Sequence, residues 1–201
     1  MKTIEKRESF YKLLSRIFLS EMDESSLKKI ENSKDFELLF PSYSKWEERS
    51  KKSRYKLIHE VLNVDYTDIA VMHLIPYESF YVREDGMIES GGANPVTQMY
   101  NEYGYRVNLD KARAVSGDHF GIELGFMTLL IELQKEALKS SDEEKANFYK
   151  GEQLKFLKEH ILQFAPMYLI NIAEQARTPF YKDSAKLAIE FLLEDLEYLA
   201  S

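Results

Sequence analysis

Residues 116–140 read SGDHFGIELGFMTLLIELQKEALKS, and this stretch decides the fold class. Phe120, Leu124, Met127 and Ile131 recur at i, i+4, i+7 and i+11, which lays one apolar stripe along a helix. Ser116 or Asp118 stands where an N-cap is needed, because a side-chain oxygen there satisfies backbone N–H groups that the first turn leaves free. Toward the C-terminus, Ser141 followed by Glu144 is a capping-box pattern for a helix running through Phe156 and Ile161 to Phe164. Pro166 can start another helix, and Thr178-Pro179 pairs an N-cap with proline at the first helical position. The last helix carries Leu187, Ala188, Phe191, Leu192 and Leu199 on one side and Lys186, Glu190, Glu194 and Glu197 on the other.

Toward the N-terminus, Asn94-Pro95 opens and Gly104 closes a short helix over Pro95 to Tyr103. Before it, Pro76, Gly86, Gly91, Gly92 and Pro95 punctuate Leu74 to Pro95, and no helical period survives. Connections of this length inside a compact domain often carry function. A long helix is expected from Ser44 to about Val64, with Leu57, Ile58, Val61 and Leu62 as its apolar side, and a short one over Ser25 to Asn32. Phe10, Leu13, Leu14, Ile17 and Phe18 form the stripe of a first helix ending near Ser20. There is no sequence repeat and no strand hairpin. The pattern predicts an all-α single helical domain of roughly eight to ten helices. Its N-terminal part, 1–115, contains the loop 74–95, and its C-terminal helical part is 116–201.

A chain of 201 residues buries roughly 70% of its unfolded surface on folding. With 44% hydrophobic and 30% charged residues, disorder through low hydrophobicity is excluded. The absence of cysteine excludes disulfides, thiolate catalysis, Cys-ligated zinc and Cys-held iron–sulfur clusters. No segment approaches the roughly 20 consecutive apolar residues that span a bilayer. Met1 to Arg7 is charged and lacks the apolar run of a secretory signal, so the expected location is cytoplasmic.

Net charge is −7, and the window from Glu60 to Tyr105 holds eight carboxylates against the single base Arg83. That window therefore carries the whole imbalance. Its field repels phosphates, arguing against nucleic acid, and attracts cationic partners; a solvated acidic face is the plainer alternative. The basic run Lys45, Arg49, Lys51, Lys52, Arg54 and Lys56 suits a phosphate or, more simply, an exposed helix face.

Asp118-His119 with Glu123 is the sharpest polar cluster. On a helix starting there, His119 and Glu123 share a face one turn apart, within touching range. As a metal site the cluster is short of ligands, since His59, His73 and His160 show no HExxH spacing, and no metal is expected. As an acid–base pair it lacks a nucleophile or substrate-gripping motif, and a capped, hydrogen-bonded helix start explains it equally well. Neither GxGxxG nor GxxxxGK[ST] occurs, and Gly91-Gly92 alone is a weak nucleotide signal. Tyr77, Phe80, Tyr81, Tyr100, Tyr103 and Tyr105, beside Glu78, suit either ordinary partly buried packing or recognition of a peptide that is both basic and apolar.

These pieces, in this order, resemble the TorD/DmsD/NarJ-like chaperones, or redox enzyme maturation proteins. Pro76-Tyr77-Glu78-Ser79-Phe80-Tyr81 is similar to the family's P-x-E-S-x-Y, and Tyr100 through Gly104 to its Y-x-x-x-G. Asp118-His119 with Glu123-Leu124-Gly125-Phe126-Met127 is similar to its D-H-x-x-x-E-L-x-F-M. Phe156 to Tyr181, with His160, Pro166 and Thr178-Pro179-Phe180-Tyr181, looks like its closing segment. One departure is Ser116-Gly117, where many members carry proline immediately before Asp-His.

The resemblance implies an all-helical, non-enzymatic, cofactor-free cytoplasmic chaperone. It would bind the twin-arginine signal peptide and the apo catalytic subunit of a molybdopterin oxidoreductase until cofactor insertion, before export. It implies peptide contacts by Asp118 and His119 and by Tyr77, Glu78 and Tyr81, and Glu123 completes the expected peptide-binding set. No nucleic-acid or stable membrane partner is expected, and the chain would act as a monomer or a domain-swapped homodimer. Because arginine's planar fork is held bidentately by carboxylates, Glu78, Glu84, Asp85 and Asp118 are its candidate anchors. Two other readings stay open at this level: a small helical hydrolase or nucleotide-binding protein using His119 and Glu123, and an adaptor helical bundle.

Overall fold

The computed structural model describes residues 3–90 and 94–201, and it is all-α with no strand among them. The expected Gly91 and Gly92 breaks lie outside the described residues. Among the described residues twelve helices follow in chain order: α1 Ile4–Leu19, α2 Glu24–Glu31, α3 Phe36–Leu39, α4 Pro41–Ser44, α5 Glu47–Lys51, α6 over 54–72, α7 Glu78–Val82, α8 Pro95–Glu102, α9 Leu109–Ala112, α10 Phe120–Lys139, α11 over 143–175 and α12 Pro179–Ala200. Five of them are single turns, which is why the count exceeds eight to ten; seven are long.

The chain divides into two compact units that interleave along the sequence. The first comprises Met1–Leu19, Pro76–Pro166 and Glu190–Ser201. Within it α10 is buried almost all round its first three turns, with Phe120, Ile122, Leu124, Phe126, Met127, Leu130 and Ile131 all inside. A helix apolar on every side must be a core helix, so the expected stripe describes only part of its burial. Helix α1 presents Tyr11, Leu14, Ile17 and Phe18 to the core. It meets α10 closely at Gly121, where a Cβ would lie 2.8 Å from the Cα of Leu19.

Helix α1 and the last turns of α12 are joined within the same unit. Arg7, fully buried, forms an ion pair with Asp195, its Nη2 lying 3.0 Å from Oδ2. The Tyr11 hydroxyl donates to the same carboxylate at 2.8 Å, and the guanidinium stacks 4.9 Å from the Tyr198 ring.

The second unit comprises Ser20–Ile75 and Met167–Ile189. Phe180 stacks on Phe40 at 5.4 Å and meets Tyr43 edge-on at 5.1 Å. Its irregular stretches are tied by two buried aspartates. Asp65 accepts from the Arg177 and Thr178 N–H groups and from the Thr178 hydroxyl at 2.6–2.9 Å. Asp183 accepts from the N–H groups of Ser42 and Tyr43, both at 2.8 Å.

Cap chemistry sets the ends of α8 as expected. The helix starts at Pro95 with the Asn94 carboxamide accepting from Val96 N–H, and Gly104 takes φ 68° just past its end. Elsewhere the structure corrects the local reading. The expected 44–64 helix breaks at Trp46 and again at Lys52 and Ser53, whose extended backbone lets Ser53 cap α6; α6 then runs on to Met72 through π-helical turns at Leu57–Leu62 and Asp68–Met72. Four of the six basic side chains of this stretch, Arg49, Lys51, Lys52 and Arg54, pair with Glu31, Glu47 and Glu48, which offsets much of its positive field. Inside the 74–95 connection lies the single turn α7. Ser141 adopts a left-handed φ of 58°, and Asp142 caps α11 in its place. Pro166 does not start a helix but sits inside α11. A π-helical turn at Leu157–Ile161 shifts the hydrogen-bond ladder just before it, the kind of adjustment that accompanies an interior proline. Pro166 is also the last residue of the first unit's central segment.

Removing one partner of a buried ion pair strands the other charge, at a cost of about 3–5 kcal/mol, whereas replacing both by apolar groups is often neutral. Asp195→Ala should therefore destabilise strongly in urea titrations, and adding Arg7→Met should restore much of the loss.

Candidate functional site

The strap and the helix start that form the site belong to the first unit. Residues 76–79 lie antiparallel to 118–120, joined by an isolated bridge between Tyr77 and His119. Phe120 N–H donates to the Pro76 carbonyl at 2.7 Å, and Glu78 N–H to the Asp118 carbonyl at 3.0 Å. The Asp118 side chain adds a third tie, Oδ2 accepting from Ser79 N–H at 2.8 Å. Asp118 thus caps the turn of another segment rather than its own helix. The N-cap of α10 is His119, whose Nδ1 accepts from Gly121 N–H at 3.0 Å.

This use of His119 has two consequences. Nδ1 is the unprotonated nitrogen of a buried neutral ring, and burial lowers its pKa to about 4. Nor do His119 and Glu123 touch as expected, because the ring turns back to the helix terminus; their link is the backbone bond from Glu123 N–H to the His119 carbonyl. His119 and Glu123 therefore do not form an acid–base pair, and among the described residues no group of three His, Cys, Asp or Glu side chains is arranged to hold a metal ion.

Glu123 projects into the core beside Glu78 and Asp118. It is fully buried, and neither of its carboxyl oxygens finds a donor; Oδ1 of Asp118 is likewise without one. Burial first, and then the charges of Glu78 and Asp118, hold the Glu123 carboxyl well above the usual carboxylate range. Glu78 lies within hydrogen-bonding reach of it, but two ionised carboxylates have no proton to share. The pair is satisfied only when Glu123 is protonated and donates to Glu78. On its other side, Glu78 faces Nδ1 of His160 at 3.1 and 3.2 Å.

Aromatic rings close the cluster. Tyr77 sits edge-on to His119 at 5.2 Å, and its hydroxyl accepts from Val115 N–H at 3.0 Å. The Tyr100 hydroxyl donates to the Gly117 carbonyl at 3.1 Å, and burial pushes its pKa far up. Of the six residues named from sequence, Tyr77, Glu78, Asp118, His119 and Glu123 come together. Tyr81, half-buried, instead packs its ring 5.6 Å from Phe164. The expected arginine anchor Asp85 is exposed and already held by Arg83, which also binds Glu89.

His160 is the member that sequence reading missed as a site residue. Its only signal was its place in the closing segment, 82 residues from Glu78, a pairing that no local pattern encodes. Ser79 and Ser116 were missed too: the Ser79 hydroxyl accepts from Glu89 N–H at 2.9 Å, and the Ser116 hydroxyl donates to the Glu89 carbonyl at 2.6 Å. Together they pin the connection after α7.

The segment carrying these residues coincides with a family match. The model of the nitrate reductase delta subunit family covers residues 57–169, more than half of the chain. The chain belongs to this family of TorD-like redox enzyme maturation chaperones. It is similar to the chaperone protein TorD of Vibrio vulnificus, 25% identical over 97% of this chain and 95% of the relative. The TorD chaperone of Photobacterium profundum is 29% identical over 62% of this chain and 56% of its own length. That of Aliivibrio fischeri is 28% identical over 63% and 56%. No solved structure matches the chain. Its class is therefore that of molybdoenzyme-maturation chaperones and not of enzymes. Among the described residues, no helix is long and apolar enough to cross a membrane.

The two buried groups titrate with opposite effects. The folded Glu123 keeps a proton that the unfolded chain releases above about pH 4.5, so its contribution to stability is lost as pH rises. The folded His119 refuses a proton that the unfolded ring takes below about pH 6.5, so its contribution is lost as pH falls toward 4. Glu123→Gln keeps the donor and removes the titration. Thermal unfolding followed by circular dichroism should show the variant melting above the wild type near pH 8, with the gap closing toward pH 5. A gap that does not vary with pH would exclude the shared proton.

Proposed function

We propose that the chain binds, in the cytoplasm, the twin-arginine signal peptide and the apo catalytic subunit of a molybdopterin oxidoreductase, and releases them once the cofactor is inserted. The observation that supports this best is the convergence of Glu78, Asp118 and Glu123, with Oδ1 of Asp118 and both Glu123 oxygens finding no donor among the described residues. A guanidinium supplies five N–H donors in a planar fork and a full positive charge, the two things this cluster lacks.

The carboxyls are buried, so on this reading the strap moves before an arginine reaches them. Three hydrogen bonds hold residues 76–79 to 118–120, and net contributions near 1 kcal/mol each are within reach of a binding partner. Tyr77 and His119 then become the walls, and Tyr81 flanks the apolar part of the leader. Binding costs the opening of the strap, which lowers the apparent affinity by the fraction of open molecules. The partners are thus a leader and a client subunit, with no nucleic acid and no stable membrane insertion.

Calorimetric titration with a synthetic twin-arginine leader tests the reading. The double variant Glu78→Gln with Asp118→Asn should bind at least about tenfold more weakly, roughly 1.4 kcal/mol, with its far-ultraviolet circular dichroism unchanged. Equal affinity in the folded variant would overturn the assignment of these carboxylates as the arginine anchors.

A further inference from the structure

On another surface of the first unit, the end of α8, the middle of α10 and the first half of α11 enclose a recess of about 400 Å³ lined by Glu102, Tyr103, Leu133, Phe148 and Tyr149. Three aromatic rings make its walls. Tyr103 and Tyr149 stand 6.4 Å apart at 60°, and Phe148 meets Tyr149 at 5.5 Å and 62°. Phe148 is 56% exposed, a costly position for a phenyl ring unless something covers it.

Glu102 is the carboxylate that lines the recess. Behind the wall, the Tyr103 hydroxyl donates to Glu152 at 2.7 Å, which fixes the orientation of that ring. Glu102, exposed at the rim, takes only a long bond from the Gln98 amide at 3.3 Å. One face is already used by a cation from the chain itself: the Lys145 ammonium lies 6.0 Å from the Tyr149 centroid, the outer limit at which ring quadrupole and charge attract. Among the described residues no cation lies over Tyr103 or Phe148.

Aromatic faces beside carboxylates select a guanidinium over an ammonium, since it stacks flat, is weakly hydrated and still donates hydrogen bonds at its edge. We propose that this recess docks an arginine side chain of a protein partner, presented beside an apolar residue that covers Phe148 and Leu133. The guanidinium lies between Tyr103 and Phe148 with its edge toward Glu102. This surface uses none of the residues assigned to leader binding.

The full chain, titrated with the peptide acetyl-Leu-Arg-Leu-Arg-Leu-amide and followed by NMR, tests the proposal. The aromatic signals of Tyr103, Phe148 and Tyr149 should shift on binding. Glu102→Gln and Phe148→Ala, both at exposed positions, should each weaken binding at least fivefold, and replacing both arginines by neutral citrulline should weaken it at least tenfold. The Glu78→Gln with Asp118→Asn variant should bind this peptide at the recess as the wild type does, so failure of the leader-binding reading leaves this one standing. Equal binding of the citrulline peptide, unchanged affinity in Phe148→Ala, or shifts confined to other residues would overturn it.

Discussion

The site depends on one residue used twice. Asp118 accepts from Glu78 N–H through its carbonyl and from Ser79 N–H through its carboxylate, so the strap is fixed in both position and direction. With Ser79 pinned, the preceding side chain points inward, which delivers Glu78 to Glu123 and His160. Because Asp118 is diverted from capping its own helix, His119 takes that duty, and its ring is committed to Gly121. Had Asp118 capped α10 itself, the strap would have lost its carboxylate tie and His119 would have kept both nitrogens for other chemistry.

The cost of that arrangement falls on Glu123. Three acidic side chains inside one core are unfavourable unless protons or cations intervene. Here the available answers are a proton on Glu123 and an imidazole at Glu78, and they leave Oδ1 of Asp118 and the second oxygen of Glu123 without a donor. A core built for stability alone would place Gln or Leu at 123. That the chain carries a carboxyl there fits a place where energy is held in reserve for a ligand, as strained or unsatisfied groups at functional sites commonly are.

Much of this was legible in the sequence, and the boundary of legibility is physical. Helix α8 was readable because Asn94, Pro95 and Gly104 each have one strongly preferred backbone role. For α10 the spacing showed one buried stripe but not burial all round. The gathering of residues 77–78 with 118–123 came from the ordered motifs of a family, not from any local rule. The cap residues differ from the sequence reading, which named Ser116 or Asp118 where His119 caps α10 and Ser141 where Asp142 caps α11. Each named candidate is diverted, Ser116 and Asp118 by the long-range partners Glu89 and Ser79 and Ser141 by a left-handed backbone. The interior position of Pro166 was hidden because a π-helical turn, which no composition signal announces, precedes it. The depth of the site was not legible either, since charge patterning suggests solvent exposure while the fold buries Asp118 and Glu123 completely.

Asp65, Asp118 and Asp183 follow one design. Each is buried, and each accepts from backbone N–H groups of a segment 39 to 141 residues away. In every case the recipient is an irregular stretch or a one-turn helix: the start of α7, the start of α12 and the turn α4. Such segments cannot satisfy their own N–H groups internally, and an unpaired buried donor costs about as much as a lost hydrogen bond. A carboxylate supplied from elsewhere does the work of a local cap and ties distant parts of one unit together. Asp65 accepts backbone N–H groups on both of its oxygens, and Asp183 accepts two on Oδ2. The Asp118 carboxylate accepts one, and its Oδ1 is buried without a partner, which separates it from the two structural aspartates.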